Sequence, residues 1–402
     1  MSEPLDLHRL RGETPGCGEV VHLNNAGSAL APAPVHAAVR EYLDREELLG
    51  GYEAAAAEAE GIEEVYDATA DLLGCRRDQV ALMDNATAAF AAALSAIELQ
   101  PGDAMLTSRA DYVSNQIMFL QLGRRRGVRL LRAEDDAHGV VDPESVERLV
   151  RQERPRLVAI SHIPTYSGRV QNAEIIGAIC QTHGVPYLLD ACQSVGQIPV
   201  DVEAIGCDFL SATGRKYLRG PRGTGFLYVS DRALDLDLMP LLPDLRGAEW
   251  ISADRFEARA DARRFEYWEF SYALLRGLGA AARYALEVGI EAASQRAARL
   301  AATAREHLGA LDGVHSLEPE GARLAAITTY RIDGIEDGAH LVQALRKRKL
   351  HASVTQADSA RIEYDARSLA WALRVSPHYY NTEAEILAFA EGLAECLAEL
   401  RH

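Results

Sequence analysis

The stretch from Val185 to Val229, VPYLLDACQSVGQIPVDVEAIGCDFLSATGRKYLRGPRGTGFLYV, constrains this chain more than any other. Tyr187-Leu188-Leu189 is an apolar run long enough for a strand buried on both faces, as in parallel sheets, and it ends on Asp190. Ala191-Cys192-Gln193 follows directly. Lys216 lies 26 residues after the aspartate, in Ala212-Thr213-Gly214-Arg215-Lys216, just ahead of the glycine-broken Gly220-Pro221-Arg222-Gly223-Thr224-Gly225.

Strand and helix patterns alternate before it. The apolar runs predict strands over Val80–Met83, Ala104–Thr107, Val128–Leu131, Arg156–Ser161 and Val185–Leu189. Helices are expected from Thr87, from Ser114, over Pro143–Gln152 and over Ala173–His183. Such alternation builds a mainly parallel α/β sheet covered on both faces, with ligands beyond the strands' C-terminal ends. Earlier, Pro32 and Pro34 open a helix to about Leu49, Gly50-Gly51 breaks it, and an alanine- and glutamate-rich helix runs to about Leu73. Later, a long-helical stretch from Ser271 to Leu311 leads into a smaller α/β unit. Its strands are expected at Ala325–Arg331, His351–Val354 and Leu373–Val375, and its helices at Gly338–Arg348 and Thr382–Leu400. The expected organisation is an N-terminal segment (1–20), a large domain (21–265) and a small C-terminal domain (266–402).

A carboxylate at a strand end and a lysine on a Gly/Thr-lined turn meet the needs of pyridoxal 5'-phosphate (PLP) chemistry. The lysine holds the aldehyde as a Schiff base, and the carboxylate keeps the pyridine nitrogen protonated so that the ring accepts electrons. Only three of the 42 basic residues are lysines (Lys216, Lys347, Lys349), so surface charge in this chain is carried by arginine. An arginine in that turn cannot condense with an aldehyde. The competing readings are a surface lysine in a turn and, for Asp190, a helix cap after a strand.

A formal charge of −17 argues against nucleic acid or an anionic membrane as partner. No run approaches the ~18 apolar residues of a spanning helix, and MSEPLDLHRLRGETPG lacks the apolar core of a signal peptide, so a cytoplasmic protein is expected. The six cysteines show no metal-ligand spacing and read as small buried hydrophobes.

D-A-x-Q, then S/T-G-x-K, then G-P-x-G-x-G-x-L resembles the pattern of class V aminotransferase-fold PLP enzymes. That group includes cysteine desulfurases, isopenicillin-N-epimerase-like proteins and ergothioneine-type C–S lyases. The resemblance runs from about Asn24 to the end. It implies fold type I, with a large domain built on a mainly parallel sheet of the seven-stranded type, a smaller C-terminal α/β domain, and a homodimer with active sites at the interface.

Residue by residue, the resemblance makes Lys216 the catalytic and PLP-bearing amine. Asp190 becomes the partner of the ring nitrogen and Gln193 the donor to the phenolic oxygen. Asn85-Ala86-Thr87, with Thr213 and Arg215, aligns with the phosphate-binding segments, although Thr87 reads equally well as a plain helix cap. Tyr112 stands where the family stacks a flat side chain on the ring; a slip of one position puts Val113 there. Thr165 borders the cofactor. Asn25 and Arg374 face the substrate, Arg374 as a carboxylate clamp in R-x-S-x-x-x-Y-N-T, the alternative being a structural ion pair. Tyr166 and Arg169 share the Thr165 loop, and His162 reads as site or core residue alike. The segment after Phe265-Glu266 is expected to reach the partner subunit, with Glu269 where the desulfurases carry threonine.

Desulfurases need a mobile cysteine upstream of the carboxylate arginine, because a thiolate takes the sulfur. Here HASVTQADSARIEYDARSLAWALR, from His351 to Arg374, contains none. With Gly50-Gly51-Tyr52-Glu53-Ala54-Ala55 resembling the ergothioneine-type lyases, the expected activity is α-proton abstraction by Lys216 and β-elimination from an S-substituted cysteine or its sulfoxide. The products are a thiol or sulfenate, pyruvate and ammonia. Decarboxylation-dependent oxidative deamination to an aldehyde, transamination and epimerisation use the same residues and stay open. A non-catalytic scaffold is a further alternative. Gly220–Gly225 is no dinucleotide fingerprint, because it follows a turn rather than a strand.

Overall fold

The computed structural model describes residues 5–319 and 321–401. The first four residues of the expected N-terminal segment, and positions 320 and 402, lie outside the described residues. Among those described, the main sheet is built from β1 (Val80–Met83), β2 (Ala104–Thr107), β3 (Arg129–Arg132), β4 (Leu157–Ser161), β5 (Tyr187–Asp190), β6 (Phe209–Thr213) and β7 (Gly225–Val229). Its seven strands lie in the order β1-β7-β6-β5-β4-β2-β3. Neighbours from β6 through β3 pair in parallel, while β7 runs antiparallel to both β6 and β1. β6 and β7 are joined by the lysine-bearing turn with no crossover helix, and a parallel return needs such a crossover.

Apart from the edge strand β3, whose Arg129 and Arg132 are exposed, the strands are buried on both faces, and successive side chains take opposite sides. Leu189, Leu210 and Phe226 pack with Val65, Ile176 and Leu278. Leu188, Phe209 and Leu227 pack on the other side with Phe90, Phe119 and Phe265. Helix Ala86–Ser95 starts at Asn85, whose side chain accepts from the Ala88 amide. Helix Ala173–His183 ends on Gly184, whose φ of 67° suits glycine.

A second, antiparallel sheet carries Val314–Ser316, Thr328–Ile332, Trp371–Val375 and Ser353–Gln356, in that order. Helices Ile290–Gly309, Gly338–Lys347 and Glu383–Leu400 lie against it around Leu341, Leu373 and Phe389. Val21–His22 pairs with Leu350–His351 and Asn24 bridges Ser376, so the chain's start is stitched to this later unit. No helix among the described residues is long and apolar enough to cross a membrane.

The expected elements differ from the observed ones at a break on Glu58, at a glycine and at a competing backbone partner. The alanine- and glutamate-rich helix divides into Gly51–Ala57 and Ala59–Leu73, and the long-helical stretch divides at Gly289, with φ 86°. The strand expected from Ala325 begins at Thr328, because the Ala325 and Ala326 amides donate to Gly168 O and Gln197 Oε1 instead of a ladder.

Candidate active site

Four strands of the main sheet end side by side on Thr107, Ser161, Asp190 and Thr213. A cavity opens beyond them, lined by Asn85, Ala86, Thr87, Tyr112, Thr165, Asp190, Gln193, Thr213, Arg215 and Lys216, with Ser161, Ile163, Cys192 and Gly223. The structure thus brings together ten of the twelve residues singled out from the sequence. The other two, Asn25 and Arg374, are not in that lining.

Lys216 sits in the turn after β6, and its neighbours hold that turn rigidly. Tyr217 donates to Ala326 O at 2.6 Å, and Arg219 donates to Leu30 O, Tyr379 Oη and Thr14 Oγ1. Lys216 is 6% exposed and its Nζ stands 5.8 Å from the centre of the Tyr112 ring. Among the described residues that Nζ makes no hydrogen bond or ion pair, although the Lys216 carbonyl accepts from the Arg219 amide. Burial lowers its ammonium pKa; Cys192 and Asp190 oppose this, while Arg215 and Arg374 add to it. A lowered pKa makes the neutral, nucleophilic amine more available.

Asp190 accepts from the Cys192 amide and from Asn115 Nδ2, both at 3.0 Å. Asn115 also reaches Asp111 Oδ1 at 3.2 Å. Asp111 further accepts from Thr107 Oγ1 and Ser161 Oγ at 2.6 Å and from the Tyr112 amide at 2.8 Å. Burial pushes its carboxyl up to about 6, against these hydrogen bonds. One buried acid therefore fixes the backbone of Tyr112 and, through Asn115, the orientation of Asp190. Sequence reasoning took only Tyr112 from this segment. The signal for the rest was the i, i+4 spacing of Asp111 and Asn115 at a helix start.

Gln193 donates from Nε2 to Ala26 O and Thr165 Oγ1 at 3.1 Å, and its buried Oε1 has no partner among the described residues. Thr165 links Gln193 to Arg374, whose Nη1 donates to Thr165 O at 2.8 Å and Oγ1 at 2.9 Å. Arg374 also meets Ser353 Oγ at 3.2 Å and Asn24 Oδ1 at 3.4 Å. It is 7% exposed and pairs with no carboxylate among the described residues, so it is not in a structural ion pair. Asn25 turns away from the cavity: its side chain bonds His22 O, Ser376 O and the Tyr380 hydroxyl. Its neighbour Asn24 meets Arg374 instead.

At the other end, Gly225 lets β7 pass close to the start of helix Ala86–Ser95. A Cβ there would lie 2.7 Å from Ala212 O and Asn85 C and 2.8 Å from Ala86 N. Thr213 Oγ1 donates to Thr224 O at 3.3 Å, and Arg215 donates to Gly27 O. Helix start, threonines and Arg215 form a cradle suited to a phosphate. His162 is buried outside the cavity lining, its Nδ1 without a partner among the described residues. Arg169 is spent on Glu363, and Tyr166 packs edge-on against Tyr364. Glu266 is a buried acceptor for Leu82 N, Tyr66 and Arg246, while Tyr267 and Trp268 after it are exposed.

The residue set fits PLP in three respects: a buried lysine amine with no partner among the described residues, a carboxylate two donors hold in place, and an anion cradle kept open by glycine. Gln193, by contrast, spends its Nε2 on Ala26 O and Thr165 Oγ1, so donating to a phenolic oxygen requires it to give up one of those bonds. Sheet, strand-end cavity and lysine turn define the class, a PLP-dependent enzyme of fold type I. The chain belongs to the aminotransferase class-V family, which residues 21–389 match. It is 28% identical over 392 residues to a probable cysteine desulfurase of Methanothermobacter thermautotrophicus, covering 96% of this chain and 97% of that protein. A probable cysteine desulfurase 2 of Mycobacterium leprae is 29% identical over 358 residues, 83% of each. Among solved structures, the apo cysteine desulfurase of Thermococcus onnurineus superposes with a TM-score of 0.90 at 23% identity, covering 99% of this chain and 100% of that one. The cystine C–S lyase C-DES, solved with its product cysteine persulfide, gives 0.83 at 21% identity, covering 95% and 99%.

Proposed function

We propose that the chain is a PLP-dependent C–S lyase that cleaves an S-substituted cysteine by β-elimination. The relatives named as desulfurases support a sulfur-containing amino acid as substrate. Asp190 would hold the ring nitrogen, Gln193 the phenolic oxygen, Tyr112 the ring face, Thr165 the cofactor's edge, and Lys216 the aldehyde. Asn85, Ala86, Thr87, Thr213 and Arg215 would hold the phosphate. Bound there, the cofactor supplies an electron sink for the pair released when a bond at Cα breaks.

Arg374 takes the substrate carboxylate, which supplies the anion that this buried guanidinium lacks. The Lys216 amine removes the Cα proton; the Cα–Cβ double bond forms as the Cβ–S bond breaks, and sulfur leaves with its electron pair as a thiolate. Water converts the remaining three carbons to pyruvate and ammonia. We also infer a homodimer, for which the exposed Tyr267, Trp268, Trp250 and Phe256 are the candidate contact residues.

The observation that carries elimination over sulfur transfer is the placement of thiols. Cys192 is the cavity's cysteine among the described residues; its amide is tied to Asp190, and burial holds its thiol pKa well up. The segment from Ser353 to Trp371, which passes beside Arg374, has no cysteine. The test is to incubate the PLP-loaded enzyme with a panel of S-alkyl cysteines and assay pyruvate against aldehyde, D-isomer and keto acid. Pyruvate with stoichiometric thiol is expected. No pyruvate from any conjugate rejects elimination, and alanine with protein-bound persulfide would restore desulfuration.

A further inference from the structure

A second hollow, of about 560 Å³, lies beyond the ends of β2 and β3. Arg109 and Asp135 form one wall, Tyr166 and Arg169 another, and Glu363 and Arg367 come from the short helix at Arg361–Ala366 and the residue after it. It adjoins the site through the chain on both sides. Tyr166 follows Thr165, which accepts from Arg374, and Arg109 lies two residues before Asp111. The strand that leads into the Glu363 helix starts at Ser353, another acceptor for Arg374.

The charges lining the hollow are unevenly spent. Arg169 donates to Ser167 Oγ and pairs with Glu363, whose other oxygen takes Arg367 at 3.0 Å. Asp135 pairs with Arg109 at 3.5 Å through Oδ2 and lies within the field of Arg169, while its buried Oδ1 accepts nothing from the described residues. Tyr166 is 3% exposed, and its hydroxyl has no hydrogen bond among the described residues. Its neighbours there are Glu363, Arg169 and Asp135. Asp135 Oδ1 is an acceptor left unused at the wall of the hollow, with a free hydroxyl beside it, and a ligand's donor placed there gains a hydrogen bond.

We propose that this hollow receives the part of the substrate beyond sulfur and selects arms ending in a hydrogen-bond-donating group, an amine or hydroxyl, over apolar or anionic arms. It rests on the cysteine-conjugate reading. Asp135 Oδ1 accepts from the arm's terminal N–H or O–H, and the Tyr166 hydroxyl gives or takes a second bond. A carboxylate arm would face Asp135 and Glu363 and be repelled. An alkyl arm would leave both polar groups unpaired, the arrangement by which enzymes reject analogues most strongly.

The test compares cysteines of matched arm length, S-(4-aminobutyl), S-(4-hydroxybutyl), S-pentyl and S-(4-carboxybutyl), binding to the PLP-loaded enzyme. Binding is read from the change in the cofactor's absorbance on mixing, apart from turnover. The amino and hydroxy arms should bind at least about tenfold tighter than the pentyl arm, and the carboxybutyl arm weakest. Asp135→Asn and Tyr166→Phe, each near-isosteric, should shrink that preference to about twofold or less. Equal binding of all arms, tighter binding of the pentyl arm, or a preference that survives both variants overturns the assignment. If the preference holds and no pyruvate appears, the elimination reading fails and the subsite stands; pyruvate from every arm at equal affinity means the reverse.

Discussion

Asp111 and Asp190 share one donor: the Asn115 amide lies 3.2 Å from an oxygen of the first and 3.0 Å from an oxygen of the second. Two buried carboxylates so near each other repel, and Asp190 adds to the rise in the Asp111 pKa that burial begins. The bridging amide and the two hydroxyls on Asp111 offset that repulsion. The cofactor's expected acid is thus oriented from behind by a second acid that faces no ligand.

Replacing Asp111 with asparagine turns one acceptor oxygen into a donor aimed at Thr107, Ser161 or Asn115. A hydrogen bond to a charged group contributes roughly 1.5–3 kcal/mol, so Asp111→Asn should weaken PLP binding by about ten- to a hundredfold. Titrating the apoprotein with PLP and following absorbance checks this. Unchanged affinity would mean that the Cys192 amide alone orients Asp190.

Arg374 spends Nη1 on Thr165 and has no anion among the described residues. Arg374→Lys keeps the charge and loses the planar fork. The expected result is a rise in KM of about tenfold or more with kcat less affected, since the carboxylate is bound equally before and during proton removal. Steady-state kinetics with any turned-over conjugate decides it. A fall in kcat alone would instead place Arg374 at the reacting atoms.

Asp190 and Lys216 were legible because each is marked locally, one by an apolar run that stops on a charge, the other by the rarity of lysine in this chain. Asn25 was legible only to within one position. Asn24 and Asn25 are identical neighbours, and which faces the clamp depends on how the segment pairs with Ser376, a contact made across 352 and 351 residues of chain. Asp111 has local partners in Thr107 and Asn115, four residues to either side, but its contacts with Ser161 and, through Asn115, with Asp190 come from strands 50 and more residues away. The hollow beside the site joins Asp135 to a helix more than 200 residues later, and no local pattern announces that meeting.

His378 is held neutral by geometry. Its Nδ1 accepts from the Tyr379 amide at 2.9 Å, so Nε2 carries the proton and donates to Tyr217 O at 2.8 Å. Burial, with the charge of Arg219, lowers its pKa from 6.5 to about 3. Because the folded pKa lies below the unfolded one, the unfolded chain binds the proton first. The stability this residue contributes is full above pH 6.5 and is lost as pH falls from there toward 3, at up to about 1.4 kcal/mol per pH unit. His22 and His162, each lowered to about 4, act in the same sense, whereas Asp111 and Asp135, each raised to about 6, act in the opposite one. His378→Gln removes a single contribution. The stability it forfeits, measured by urea unfolding of the apoprotein, should be greatest near pH 7 and shrink as pH falls toward 4. A constant difference across that range would mean that His378 titrates alike in both states.

Gly225 tests whether the cradle at the start of helix Ala86–Ser95 holds the phosphate. The three atoms nearest to a Cβ there, Ala212 O, Asn85 C and Ala86 N, are all backbone, so no side-chain rotation relieves them. Either β6 or the helix start must move, and overpacking of this kind costs typically about 1–3 kcal/mol. Stability alone cannot separate a structural from a cofactor role, but pyridoxal, which lacks the phosphate, can. Gly225→Ala should weaken PLP binding by about tenfold or more while changing pyridoxal binding little if the helix start at Asn85 and Ala86 holds the phosphate, as proposed. Equal losses for both compounds would show that the shift spreads to Thr213 and the lysine turn, and would remove the helix start from the phosphate site.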